Sequence, residues 1–160
     1  GEAASIYDGK NAAQTASYGI ESRGGFSSSG VIISDKEIIC PEVSDPDLIL
    51  TLTQQAYDRY WNNLSSKALL VYDNSTIKGD STENVCSYPL SEMAVNVAKK
   101  AGIKAMVNLI SIGLVVAISK EVSIEAIEKA MESKYEKNIA QKNMQLVKAG
   151  LSLVDKTNFI

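Results

Sequence analysis

A three-layer α/β domain with a mixed, mainly parallel sheet, strand-rich in its N-terminal half and helical in its C-terminal half, is the fold this sequence predicts. Three observations carry that reading. Residues 47–52 and 68–72 are continuous apolar runs separated by a segment with apolar side chains at helical spacing, the strand–helix–strand order of a right-handed parallel unit in a Rossmann-like sheet. From Ser91 onward, amphipathic helical periods follow one another with no strand pattern between them. Finally, 160 residues that are 45% apolar make one domain's length, able to bury roughly 70% of the unfolded chain's surface without help from a disulfide or metal.

Taken in order, residues 1–7 read as the last turns of a helix, closed by a glycine cap at Asp8-Gly9. Residues 11–15 form a short strand that runs into a glycine-rich loop, Tyr18-Gly19-Ile20-Glu21-Ser22-Arg23-Gly24-Gly25. The β-branched run Val31-Ile32-Ile33 is a second strand. Apolar character resumes at residues 37–40 after the turn at Asp35-Lys36, so these two runs are expected to pair as a hairpin. Pro41 and Pro46 then bracket a connection with no ladder donors at either position.

Residues 47–52 read as a fully buried strand. Thr53 caps a helix with Ala56, Tyr57, Tyr60 and Trp61 on one face, which Asn62-Asn63 closes. The strand 68–72 ends at Asp73, residues 74–84 make an exposed loop around Gly79, and residues 85–88 add a strand before Pro89. Ser91 is expected to cap a helix carrying Ala94, Val97, Ala98 and Ala101 at i, i+3, i+4 and i+7, which Gly102 ends. The uncharged stretch 105–119 falls short of the roughly 20 apolar residues of a membrane span and reads as a buried helix, with Val107, Ile110, Leu114 and Ile118 inward. Ser123 caps the next helix, whose stripe is Ile124, Ile127, Met131 and Tyr135. A last helix over residues 138–156 turns Ala140, Met144, Val147, Leu151 and Val154 to one side.

Composition removes whole classes of chemistry. There is no histidine, which takes away the usual general base and the commonest ligand of catalytic zinc. Cys40 and Cys86 lack CxxC spacing, cannot supply four thiolates, and read as small buried hydrophobes of a reduced, cytoplasmic protein. Sixteen basic against nineteen acidic residues, with no basic run, disfavour nucleic acid as a partner. Glu2 and Asp8 interrupt any apolar leader core. With no Walker or GxGxxG pattern, neither a catalytic residue, a metal site nor a cofactor is assigned to this chain alone.

The candidate site is the loop holding Tyr18, Gly19, Glu21, Arg23, Gly24 and Gly25. Glycine permits close backbone approach and a turn of N–H groups toward an anion, and Arg23 offers a rigid fork of donors for a carboxylate or phosphate. A plain surface turn with solvated Glu21 and Arg23 is the alternative. Asp45, Asp47 and Asp73 sit at strand ends, where α/β sheets bind ligands but where caps and turns also place Asp. Tyr57, Tyr60 and Trp61 read as core or subunit contact rather than a stacking platform.

The strings Gln14-Thr15-Ala16-Ser17-Tyr18-Gly19, Glu21-Ser22-Arg23-Gly24-Gly25, Val31-Ile32-Ile33-Ser34-Asp35 and Pro41-Glu42-Val43 together resemble the gamma subunit of the 2-oxoacid:ferredoxin (acceptor) oxidoreductases. The resemblance is strongest to the 2-oxoglutarate branch. Pyruvate-type gamma subunits carry Arg-Gly-Ala-Pro where this chain has Arg23-Gly24-Gly25-Phe26. It continues through Leu52-Thr53-Gln54-Gln55-Ala56-Tyr57-Asp58, Asn108-Leu109-Ile110-Ser111-Ile112-Gly113 and Ser123-Ile124-Glu125-Ala126-Ile127, covering nearly the whole chain.

The resemblance implies a single gamma-type domain over residues 1–160 within a complex that oxidatively decarboxylates a 2-oxoacid to an acyl-CoA. It places thiamine diphosphate with its Mg²⁺ and the iron–sulfur clusters in alpha, beta and ferredoxin-like delta partners, with CoA and oxoacid met at the assembled site. The family usually opens with a strand and a Gly-x-Gly-Gly-Gln-Gly loop. This chain begins where the following helix should end, so roughly 20 residues of the βα unit are expected to be missing. An independent ligand-binding or assembly module without oxidoreductase partners is the competing reading.

Overall fold

A computed structural model of the chain describes residues 1–18 and 27–154. The first element is a π-turn, Ala3–Tyr7, ended by Asp8 with Gly9 at a φ of 69°, as the glycine cap required. It lies along a C-terminal helix and is tied at both ends. Glu2 pairs with Lys134, and the Asp8 carboxylate accepts from the Ser123 hydroxyl and N–H, both at 2.7 Å. Those two bonds hold the Asp8 carboxyl below its ordinary range.

β1 (Asn11–Tyr18) and β2 (Ser27–Ser34) form an antiparallel ribbon of eight pairs, from Asn11 opposite Ser34 to Tyr18 opposite Ser27. This corrects the expected hairpin: Val31-Ile32-Ile33 pairs backward with Gln14, Ala13 and Ala12, and residues 37–40 form no strand. Pro41 closes that segment after four residues and supplies no ladder donor. Cys40, expected to be buried, is exposed there beside Ile39.

β3 (Leu48–Thr51), α1 (Gln54–Trp61), β4 (Leu69–Asp73) and β5 (Val85–Tyr88) build a separate parallel sheet in the order β3-β4-β5. The parallel unit expected from the two apolar runs is therefore present, although the antiparallel ribbon stands apart instead of joining the same sheet. β3 is half-buried over most of its length, not fully buried, because it is an edge.

α2 (Leu90–Ala101), α3 (Val107–Ser119), α4 (Ile124–Lys134) and α5 (Lys137–Val154) complete the fold. The period-two alternation of β4 divides the core into two. Val71 faces a large cluster with Leu90, Ile110, Leu114, Met144, Leu146 and Val147, while Leu70 and Tyr72 face Tyr57, Ile77 and Val85. The result is α1, sheet and C-terminal helices in three layers.

α3 and α5 cross with their backbones in contact. A Cβ on Gly113 would sit 1.9 Å from the Val147 carbonyl oxygen, and one on Gly150 would sit 2.0 Å from that of Ile110. Ile110 and Leu114 are fully buried, as expected of this helix, with Val107 and Ile118 packed at its margin. Tyr135, expected on the inward stripe, is instead exposed at the cap residue that ends α4, where extended backbone turns it away. Among the described residues no helix is long and apolar enough to cross a membrane.

Candidate functional site

Of the candidate residues, Gly19, Glu21, Arg23, Gly24 and Gly25 lie outside the described residues, and Tyr18 is placed as the last residue of β1. What the structure defines is the mount. The eight pairs set the last described pair, Tyr18 opposite Ser27, about 25 Å along the ribbon from the Asn11–Ser34 end.

Local sequence explains the ribbon's shape. Ala12, Ala13, Ala16, Ser17, Ser27, Ser28, Ser29 and Gly30 are too small to build a core of their own, and most of the far half is exposed. Gly30 is required: a Cβ there would meet the Val43 side chain at 2.7 Å, and Val43 is how the segment after Pro41 braces one face. Gln14 and Thr15 bond across to Ser29, whose hydroxyl donates to the Thr15 carbonyl at 3.2 Å.

The acidic candidates are not brought together. Asp45 and Asp47 are exposed ahead of β3, whereas Asp73 ends β4; in parallel strands those are opposite edges of the sheet. Asp73 is 1% exposed and fully engaged. One oxygen accepts from the Ser75 and Leu90 N–H groups at 3.0 Å each, and the other accepts from the Ser91 N–H at 3.1 Å and the Ser91 hydroxyl. Burial opposes its ionisation, but the Ser91 and Ser75 donors outweigh burial and hold the carboxyl below its ordinary value of 3.8. Ser91, expected to cap α2, is thus a first-turn donor. The capping acceptor comes from the neighbouring strand.

Tyr57 stacks on Trp61 at 5.7 Å and meets Tyr72 edge-on at 4.9 Å, which makes this aromatic group core packing. It also fastens the loop 74–84, which is largely exposed as expected, except at Ile77. Ile77 is buried; the Tyr57 hydroxyl accepts from the Asp80 N–H at 3.0 Å, and the Tyr72 hydroxyl donates to the Gly79 carbonyl at 2.9 Å. The Gln54 amide pairs twice with the Lys78 backbone, at 2.9 and 3.0 Å. A Cβ on Gly79 would strike the Tyr57 ring at 2.7 Å. Sequence reading missed this clamp, whose only local signal was a glycine and an isoleucine in a polar stretch. Cys86 is half-buried in β5, and burial pushes its thiol up.

The described residues contain no group of three His, Cys, Asp or Glu placed to hold a metal. The model of the pyruvate ferredoxin/flavodoxin oxidoreductase domain matches residues 1–153. The chain belongs to that family. Within it, the chain is 34% identical over 159 residues to the 2-oxoglutarate synthase subunit KorC of Methanothermobacter marburgensis, covering 96% of this chain and 86% of that one. A solved family structure, the gamma subunit of a keto/oxoacid ferredoxin oxidoreductase from Geobacter sulfurreducens PCA, is 31% identical with a TM-score of 0.76, over 98% of this chain and 87% of that chain. The 2-oxoglutarate:ferredoxin oxidoreductase of Magnetococcus marinus, solved with 2-oxoglutarate, coenzyme A and succinyl-CoA bound, shares the fold at a TM-score of 0.80 and 18% identity. There 99% of this chain matches 28% of a longer one, so the same fold forms part of a larger polypeptide.

Proposed function

We propose that this chain is the gamma subunit of a multisubunit 2-oxoglutarate:ferredoxin or acceptor oxidoreductase, which converts 2-oxoglutarate and CoA to succinyl-CoA and reduces a low-potential acceptor. The observation that carries it is the 34% identity to a 2-oxoglutarate synthase subunit across nearly the full length of both chains. Thiamine diphosphate, Mg²⁺ and the iron–sulfur clusters belong to alpha, beta and ferredoxin-like delta partners in the cytoplasm. Two separated cysteines and no histidine give this chain neither a cluster's four thiolates nor an imidazole base.

In this reading residues 1–160 act as one gamma-type domain. The ribbon carries Tyr18, Gly19, Glu21, Arg23, Gly24 and Gly25 toward a partner subunit and the entrance through which CoA and oxoacid pass. Arg23 supplies charge-assisted hydrogen bonds to a partner carboxylate or an anionic group of CoA or substrate. Its support is the length and exposure of the ribbon, which packs little of itself against the body.

The test is reconstitution. The purified chain, assayed with 2-oxoglutarate, CoA, thiamine diphosphate, Mg²⁺ and an electron-accepting dye, is expected to give no turnover. Adding it to its alpha, beta and delta partners is expected to yield one stable complex with 2-oxoglutarate-dependent dye reduction. Turnover by the chain alone, or full activity of the partners without it, contradicts the proposal, and a failure to associate supports an independent α/β module.

A further inference from the structure

We infer that the carboxyl edge of the parallel sheet is closed from within, the Asp73 carboxylate occupying the seat that an open α/β crevice offers to an anionic ligand. In such sheets ligands enter at the carboxyl ends of the strands, and the first N–H groups of a following helix attract phosphate. Here that seat is formed by the start of α2, and its donors are already taken. The Leu90 N–H, the Ser91 N–H and the Ser91 hydroxyl all converge on Asp73, together with the Ser75 N–H from the loop after β4.

The other flank of β4 is closed as well. Ile77 fills the space beside Tyr57 and Tyr72, and the backbone of Lys78, Gly79 and Asp80 is bonded to Gln54, Tyr72 and Tyr57. The two closures share the loop after β4: the Ser75 N–H donates to the Asp73 carboxylate, and the Ile77 N–H donates to the Asp73 carbonyl at 3.0 Å. Phosphate-bearing molecules, CoA among them, therefore bypass this crevice, and any contact they make with the chain lies elsewhere. The inference does not depend on whether the chain assembles with partners.

Asp73→Ala should convert the filled seat into a real one. The alanine methyl replaces the Asp73 methylene and leaves a carboxylate-sized void lined by unpaired donors, which formate fits. Thermal unfolding of the full-length chain at neutral pH and constant ionic strength, in sodium formate or sodium chloride, reads this out. Asp73→Ala is expected to melt roughly 5–10 °C below wild type in chloride and to recover part of the loss saturably with formate. Asp73→Asn fills the same volume and is expected to show no difference between the two salts.

In wild type the Leu90 and Ser91 amide resonances are expected to show no shift with inorganic phosphate or CoA. An alanine variant that stays unfolded in formate, or that melts alike in both salts, overturns the inference. So does a formate response of Asp73→Asn equal to that of Asp73→Ala. Saturable perturbation of the wild-type Leu90 and Ser91 amides by phosphate or CoA overturns it independently of any variant.

Discussion

The α3–α5 crossing and the β1–β2 ribbon both depend on small residues, and they use them in opposite ways. At the crossing, Gly113 and Gly150 each face a carbonyl of the other helix at a distance no side chain could occupy, so the backbones touch and Ile110, Leu114, Leu146 and Val147 are driven fully inside. Along the ribbon, alanine, serine and glycine leave the backbone open to solvent over most of its far half. One region spends its small residues on burial and the other on access. Stability should therefore reside in the helical half, and partner contact in the ribbon.

The sharpest way to break that contrast is to remove core from the crossing. Leu114→Ala is expected to cost about 2–5 kcal/mol, from lost burial and a residual cavity, measured as a shift of the urea unfolding midpoint at constant m. A loss below about 1 kcal/mol would mean that the crossing is not where the fold is held. Gly113→Ala comes next, at about 1–3 kcal/mol. Alanine's better helix propensity, worth about 1 kcal/mol, favours the variant, but a methyl driven against the Val147 carbonyl cannot rotate away and must push the helices apart. A stabilised Gly113→Ala would show that the helices are free to separate.

Acid supplies a smaller perturbation that spares the ribbon. Asp73 and Asp8 both have carboxyls held below 3.8, so each binds protons more weakly when folded than when unfolded. Their contribution is complete above the unfolded value and is lost as pH falls through the lower folded one. Unfolding free energy is accordingly expected to hold level, as far as these two groups determine it, from pH 7 to about pH 5 and to fall below about pH 4. Asp73→Asn should flatten that fall. An unchanged acid slope in the variant would mean that the Ser91 and Ser75 bonds do not favour the ionised form.

How much of this was readable in the sequence depends on how local each cause is. The caps at Thr53, Gly102 and Ser123 and the parallel β3–α1–β4 unit follow from residues within a few positions of one another, and the structure has them where expected. The partner of Val31-Ile32-Ile33 was misread because a strand's partner is a nonlocal fact, and the nearer apolar segment looked sufficient. The closeness of Gly113 and Gly150 was invisible for the same reason, since each looks like an ordinary helix interruption until the other helix is laid against it. The loop after Asp73 is largely exposed, as its polar composition predicts, except at Ile77; its tethers were not legible because Tyr57 and Tyr72 reach it from elements that precede it in the chain. The candidate loop from Tyr18 to Gly25 stood out through its glycines and Arg23, and the structure contributes the ribbon that carries it.

The division of labour itself is tested most directly at Arg23, where the expected effect on stability is the smallest and the effect on function is large. Arg23→Ala should leave the urea midpoint of the isolated chain within about 0.5 kcal/mol of wild type. In the reconstituted complex the same variant should weaken assembly or raise the KM for CoA or 2-oxoglutarate, by a factor matching the roughly 2–5 kcal/mol lost when one partner of a buried charged contact is removed. A variant that assembles normally and keeps its full kcat/KM for both substrates would contradict the account and leave Arg23 a solvated residue of a surface turn.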